Sequence, residues 1–137
     1  MTLKTHLEAY CNAFNARSLD QVLDQFAEQA LFELPLLGQR LIGRAEIAAG
    51  LRCIFEVTES ATLTFPEMVA SERVLIAEGK LQGKLHRDPA PFTLVAAAVI
   101  EAKAGKISRL STYLDARPYR LWSDGPIFAP VQMQARA

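Results

Sequence analysis

Apolar residues at the start of the chain recur at helical spacing and then, further on, at the spacing of a strand. Leu3, Leu7, Tyr10, Cys11 and Phe14 stand three and four positions apart, which places them on one face of a helix over residues 3–16. Thr2 can accept a first-turn amide hydrogen as its N-cap, and Asn15 suits its end. In RSLDQVLDQFAEQA, Ser18 caps a second helix with Leu19, Val22, Leu23 and Phe26 as its buried stripe. The period then drops to two in LFELPLLGQRLIG. Phe32 and Leu34 face one side and Glu33 the other, until Pro35 removes a ladder donor and Gly38 marks a turn. RAEIAAGLRCIFEVTE returns to helical spacing through Ile47, Leu51, Ile54 and Phe55, although Gly50 costs a helix about 1 kcal/mol relative to alanine.

Beyond Ser60 the pattern is that of strands. ATLTFPEMVA, RVLIAEGKLQGKL, FTLVAAAVIEAK and GKISRLSTYLD are separated by turn chemistry at Ala70-Ser71-Glu72, at the stretch from His86 to Pro91, and at Ala104-Gly105. The apolar run at Ala96, Ala97 and Ala98 predicts a strand buried on both faces. The expected architecture is α+β: three N-terminal helices packed in a curved antiparallel sheet, a cystatin-like barrel whose wrapping leaves a conical cavity. One domain over residues 1–137 is expected, with its core at roughly 3–116 and a C-terminal extension over 117–137 that has no period of its own.

Composition narrows the partners. The chain has 15 Lys plus Arg and 15 Asp plus Glu, a formal net charge of zero, so no basic surface points to nucleic acid or to an anionic membrane. No apolar run has the length of a signal peptide core or a membrane span, and a cytoplasmic location is expected. Cys11 and Cys53 fall in helical patterns outside any ligand spacing and read as buried free thiols. His6 has no ligand-spaced partner and His86 stands at a hairpin tip, so neither a metal nor another cofactor is expected.

Several stretches carry a resemblance: Tyr10 and Asn15 in YCNAFNARSLD, Phe26-Ala27 and Ala30 in FAEQALFELP, Gly43 and Ile47 in GRAEI, and finally GKISRLSTYLD. Together they resemble the nuclear transport factor 2-like superfamily, in its SnoaL-like branch, whose members include polyketide cyclases, ketosteroid isomerase and limonene epoxide hydrolase. Set beside ketosteroid isomerase, Tyr10 falls where that family keeps its oxyanion tyrosine. Leu34 falls at the general-base aspartate and Ala97 at the protonated aspartate. Leucine cannot take a proton and alanine cannot donate one, which excludes steroid isomerisation by that machinery. Set beside limonene epoxide hydrolase, YLD supplies Asp115, but the partner strand's Arg-x-Asp is replaced by Glu78-x-Lys80, with the signs exchanged.

Two function classes follow. The first is a cofactor-independent enzyme doing acid/base chemistry, such as cyclisation, isomerisation, dehydration or hydrolysis, on a small apolar substrate. Asp115, Glu78 and Tyr10 are its candidate catalytic groups, and Phe14, Phe26, Leu34, Leu51, Phe55, Lys80, Ala97 and Trp122 line its ligand pocket. The second is a binding or dimerising module that keeps the cavity without the carboxylates. Periodicity sets Asp115 with Arg109 and Tyr113, away from the apolar face of Leu110, Thr112 and Leu114, so only a bulge near the strand end would turn it inward. Glu78 and Lys80 share a strand face and read equally as a surface ion pair. A homodimer is expected, since family members usually pair through the outer face of the sheet.

Overall fold

The structure, a computed structural model, describes residues 2–115. The elements run α1 (Leu3–Asn15), α2 (Leu19–Asp24), β1 (Phe26–Leu34), a single 3-10 turn (Pro35–Leu37), β2 (Gln39–Ile42), α3 (Arg44–Val57), β3 (Thr58–Ala70), β4 (Leu75–Leu85), β5 (Asp88–Lys103) and β6 (Lys106–Leu114). Six strands form one curved sheet in the order β2-β1-β6-β5-β4-β3, giving an α+β fold with three helices. The core fills the space between helices and sheet. Leu7, Tyr10 and Phe14 of α1 and Ile47 and Leu51 of α3 meet Phe32, Leu63, Leu94, Ile100 and Leu110 of the strands, all buried.

Local chemistry explains most boundaries. The Thr2 hydroxyl accepts from Thr5 N at 3.1 Å and the Ser18 hydroxyl from Gln21 N at 3.4 Å, so both expected caps are in place. Gly38 takes the left-handed conformation, φ 66°, that ends the 3-10 turn and starts the return strand β2. Two glycines of β4 allow its tight seating against β3. A Cβ on Gly79 would stand 1.7 Å from Thr64 O, and one on Gly83 would stand 2.0 Å from Ser60 O. Both contacts border places where the β3–β4 register shifts, between Thr58 and Ser60 and between Thr64 and Glu67. No helix among the described residues is long and apolar enough to cross a membrane.

Four expectations change. The second helix stops at Asp24, because tertiary bonds capture the residues that helical spacing would add to it. Ile107 N donates to Gln25 O at 2.8 Å, and the Arg44 guanidinium donates to Phe26 O at 2.7 and 3.0 Å. Phe26 thereby opens β1. The sheet is mixed: β1 runs parallel to β6, with a register shift between Phe26 and Leu31, while β3 to β6 form the expected antiparallel meander. The alanine-bearing strand alternates, with Ala96 and Ala98 buried on the inner face and Val95 73% exposed on the outer one. Finally, the turn before it is only His86-Arg87, since Asp88 already pairs with Leu85.

Candidate functional site

An apolar cavity lies between the helices and the inner face of the sheet. Helix α1 contributes Tyr10 and Phe14, one turn apart on its buried face, and β1 contributes Phe32 and Leu34. The meander strands add Leu63, Leu81, Leu85, Phe92, Thr112 and Leu114, all inward positions of alternating strands, while Leu37, Ile54 and Thr58 complete the wall. Its volume is about 40 Å³, enough for a very small molecule and well below the roughly 300–1,000 Å³ of pockets for drug-sized ligands.

Three hydroxyls interrupt this wall. That of Thr58 is committed: it donates to Ile54 O at 2.7 Å and accepts from Arg17 Nη1 at 3.2 Å. Arg17 holds the corner further, with Nη2 donating to Phe55 O and to Thr58 O and the guanidinium lying 5.1 Å from the Phe55 ring centroid. Tyr10 is 2% exposed, and its ring sits edge-on to Phe26 at 5.8 Å and 6.1 Å from Phe14. Burial, and then the neighbouring Cys11, push the phenol well above its ordinary range, so it stays neutral and can donate a hydrogen bond but cannot act as a base. Among the described residues neither the Tyr10 nor the Thr112 hydroxyl has a hydrogen-bond partner, which leaves both available to a molecule in the cavity.

The structure divides the residues singled out from the sequence. It brings Tyr10, Phe14 and Leu34 together in the cavity wall. Phe26 and Leu51 are fully buried behind that wall, and Phe55 packs on Phe14, 5.3 Å between centroids, under Arg17. Glu78, Lys80 and Ala97 lie on the outer face, because Ala77, Leu81, Ala96 and Ala98 occupy the inner one and successive side chains alternate. Asp115 follows the last residue of β6 and is not among the residues that line the cavity. Its N–H bonds Val95 O at 3.3 Å, and the β5–β6 ladder is regular from Glu101↔Arg109 to Ala96↔Leu114, without a bulge in that stretch. Trp122 lies outside the described residues.

Sequence reasoning passed over Phe32, Leu63, Leu81, Phe92 and Thr112 as wall residues. Each occupies an inward position of its strand, but alternation cannot tell an inward residue that meets other side chains from one that meets open space. It also passed over a buried polar group on the outer face. Glu33 is 2% exposed, accepts from Ser111 Oγ at 2.9 Å and stands 3.9 Å from Arg109 Nε, while Arg109 Nη1 pairs with Glu101 at 3.1 Å. No cluster of His, Cys, Asp and Glu among the described residues could hold a metal ion.

The SnoaL-like domain family matches residues 7–110. No curated protein sequence matches the chain. A protein with a ketosteroid isomerase-like fold from Catenulispora acidiphila, in complex with trimethylamine, is 17% identical and superposes with a TM-score of 0.80, covering 95% of this chain and 100% of that one. TerC co-crystallised with polyporic acid is 18% identical, with a TM-score of 0.76 over 85% of this chain and 94% of that one. An epoxide hydrolase of the LEH-like type from M. tuberculosis is 18% identical, with a TM-score of 0.71 over 82% of each chain. At these identities the structures share the fold with this chain.

Proposed function

Since the chain belongs to the SnoaL-like domain family, we propose that it binds a small, largely apolar organic molecule in the cavity beneath α1, with Tyr10 donating the hydrogen bond that orients it. One observation carries this reading: among the described residues the wall is apolar apart from hydroxyls, and Tyr10 is its one titratable group, held neutral. A charged or sugar-like guest would lose its hydration there without partners to replace it. The size of the cavity favours a compact guest. The complex of a fold neighbour with trimethylamine is in keeping with a ligand of few atoms.

The enzyme reading has one observation in its favour. A neutral, unpartnered phenol can stabilise negative charge developing on a carbonyl, enol or epoxide oxygen, as cyclisation, isomerisation, dehydration and hydrolysis all require. A base is what the described wall does not supply, since neither Asp115 nor Glu78 is among its lining residues. Binding is therefore the function the geometry supports best. A thermal-shift panel tests it: the smallest ketones, ethers and short-chain hydrocarbons should raise Tm, and sugars, nucleotides and free amino acids should not. Stabilisation by the polar set alone would overturn the reading. The outer face of the sheet, with exposed Ile76 and Val95, is the proposed contact with a second copy of the chain.

A further inference from the structure

A second cleft, of about 560 Å³, lies at the other end of the sheet from the apolar cavity. The first turn of α1 forms one wall, and the β3–β4 and β5–β6 turns, through Ser71, Glu72, Lys103 and Gly105, form the rest. The apolar cavity draws instead on Thr58, Leu85 and Phe92, at the opposite ends of β3, β4 and β5.

His6 reaches this cleft from α1 and is only 2% exposed. Its Nδ1 is buried without a partner, and the ring makes no hydrogen bond among the described residues. Burial, and then the positive charges of the N-terminal amine and Lys106, hold the imidazole below its ordinary pKa, so it is neutral near pH 7. An orphaned acceptor is cheaper to bury than an orphaned N–H, so the proton belongs on Nε2, the ring nitrogen that is not sealed. The imidazole then offers the cleft a donor.

The other groups are donors as well. Helix α1 is 13 residues long and has no acidic residue in its first turn. Thr5 N is satisfied by the Thr2 hydroxyl and His6 N by Thr2 O, which leaves the amides of Leu3 and Lys4 at the positive end of the helix dipole without intrahelical acceptors. The ammonium groups of Lys4 and Lys103 add two positive charges against the single carboxylate of Glu72. Lys106 is engaged elsewhere, donating to Asp24 O at 2.6 Å.

We infer that this cleft is a binding site for a small oxyanion, a phosphate or a carboxylate, held by the α1 amides, by Lys4 and Lys103, and by the Nε2–H of His6. The site is separate from the apolar cavity and stands whether or not that cavity binds a ligand.

Titrating the full chain with inorganic phosphate, and separately with acetate, at constant ionic strength tests this by NMR. At least one of the two should move the His6 ring signals and the Leu3 and Lys4 amides saturably, while chloride does not. His6→Phe keeps the ring volume but removes the donor, and should weaken binding by about tenfold or more, as should Lys103→Gln on its exposed turn. His6→Gln places an amide donor near the Nε2 position and should retain binding within a few-fold. Shifts that never saturate with either anion, or equal affinity in His6→Phe and the unaltered protein, would overturn the assignment.

Discussion

The Asn15 side chain pairs with the backbone of Leu63 on both edges, its Nδ2 donating to Leu63 O at 3.0 Å and its Oδ1 accepting from Leu63 N at 2.7 Å. The amide thus supplies the hydrogen bonds that another strand would give β3, an edge of the sheet. It also ties the end of α1, which carries Tyr10 and Phe14, to a wall residue of the cavity. Asn15→Ala should cost about 1–3 kcal/mol, because two partly buried backbone groups lose their partner. Urea denaturation would measure it, and a loss below about 0.5 kcal/mol would mean that water replaces the amide at no cost.

Tyr10→Phe removes a hydroxyl that has no partner among the described residues, so stability should change by less than about 1 kcal/mol. Affinity for any ligand with a carbonyl or ether oxygen should fall about tenfold, while a pure hydrocarbon of the same size should bind as before. Calorimetry on the two ligand types separates the effects, and equal losses for both would assign Tyr10 a packing role only.

Asp115→Asn and Glu78→Gln alter residues that are not part of the cavity wall. Each should leave ligand affinity within about twofold and stability within about 1 kcal/mol. If a substrate is found and Asp115→Asn abolishes its turnover, the enzyme reading gains over binding alone.

The outer face should join two copies of the chain. Val95 and Ile76 are exposed on it, and Glu78 and Lys80 stand two residues apart in one strand, so a two-fold axis could set Glu78 against Lys80 of the partner subunit. Sedimentation should show a species near twice 15.1 kDa at micromolar concentration, and Val95→Glu should dissociate it. A single 15.1 kDa species for the unaltered chain would reject the dimer.

Stability should fall with acid through His6. In the unfolded chain the imidazole titrates near about 6.5; in the folded chain burial, the N-terminal amine and Lys106 lower that value. Between the two, the unfolded state binds a proton that the folded state does not. The contribution is therefore complete above about pH 6.5 and is lost as the pH falls from there toward the folded pKa. Denaturation midpoints measured across this window in buffers free of oxyanions should slope for the unaltered chain and flatten in His6→Phe. Parallel slopes would assign the acid sensitivity to other groups.

Much of the fold was legible from period alone. Spacings of three and four placed α1 and α3, and alternation placed the meander, because each pattern reports how a local backbone geometry presents one face for burial. Side-chain chemistry was equally direct: leucine at position 34 and alanine at position 97 cannot transfer protons wherever they stand. Periodicity also set Asp115 in step with Arg109 and Tyr113, and the β5–β6 ladder is regular up to Leu114, the residue before it.

Tertiary structure decided what depends on residues far apart in the chain. Phe26 left the helical pattern because β6 and Arg44 bond the backbone beside it, and β1 found a parallel partner in a strand about eighty residues later. The candidate site belongs to the same class. Asn15 and Leu63, 48 residues apart, bring α1 against β3. Which inward residues border open space, Thr112 and Phe92 rather than Leu51 and Phe26, follows from how completely such neighbours fill one another's gaps. A cavity is a failure of packing between elements, and no single element's pattern encodes it.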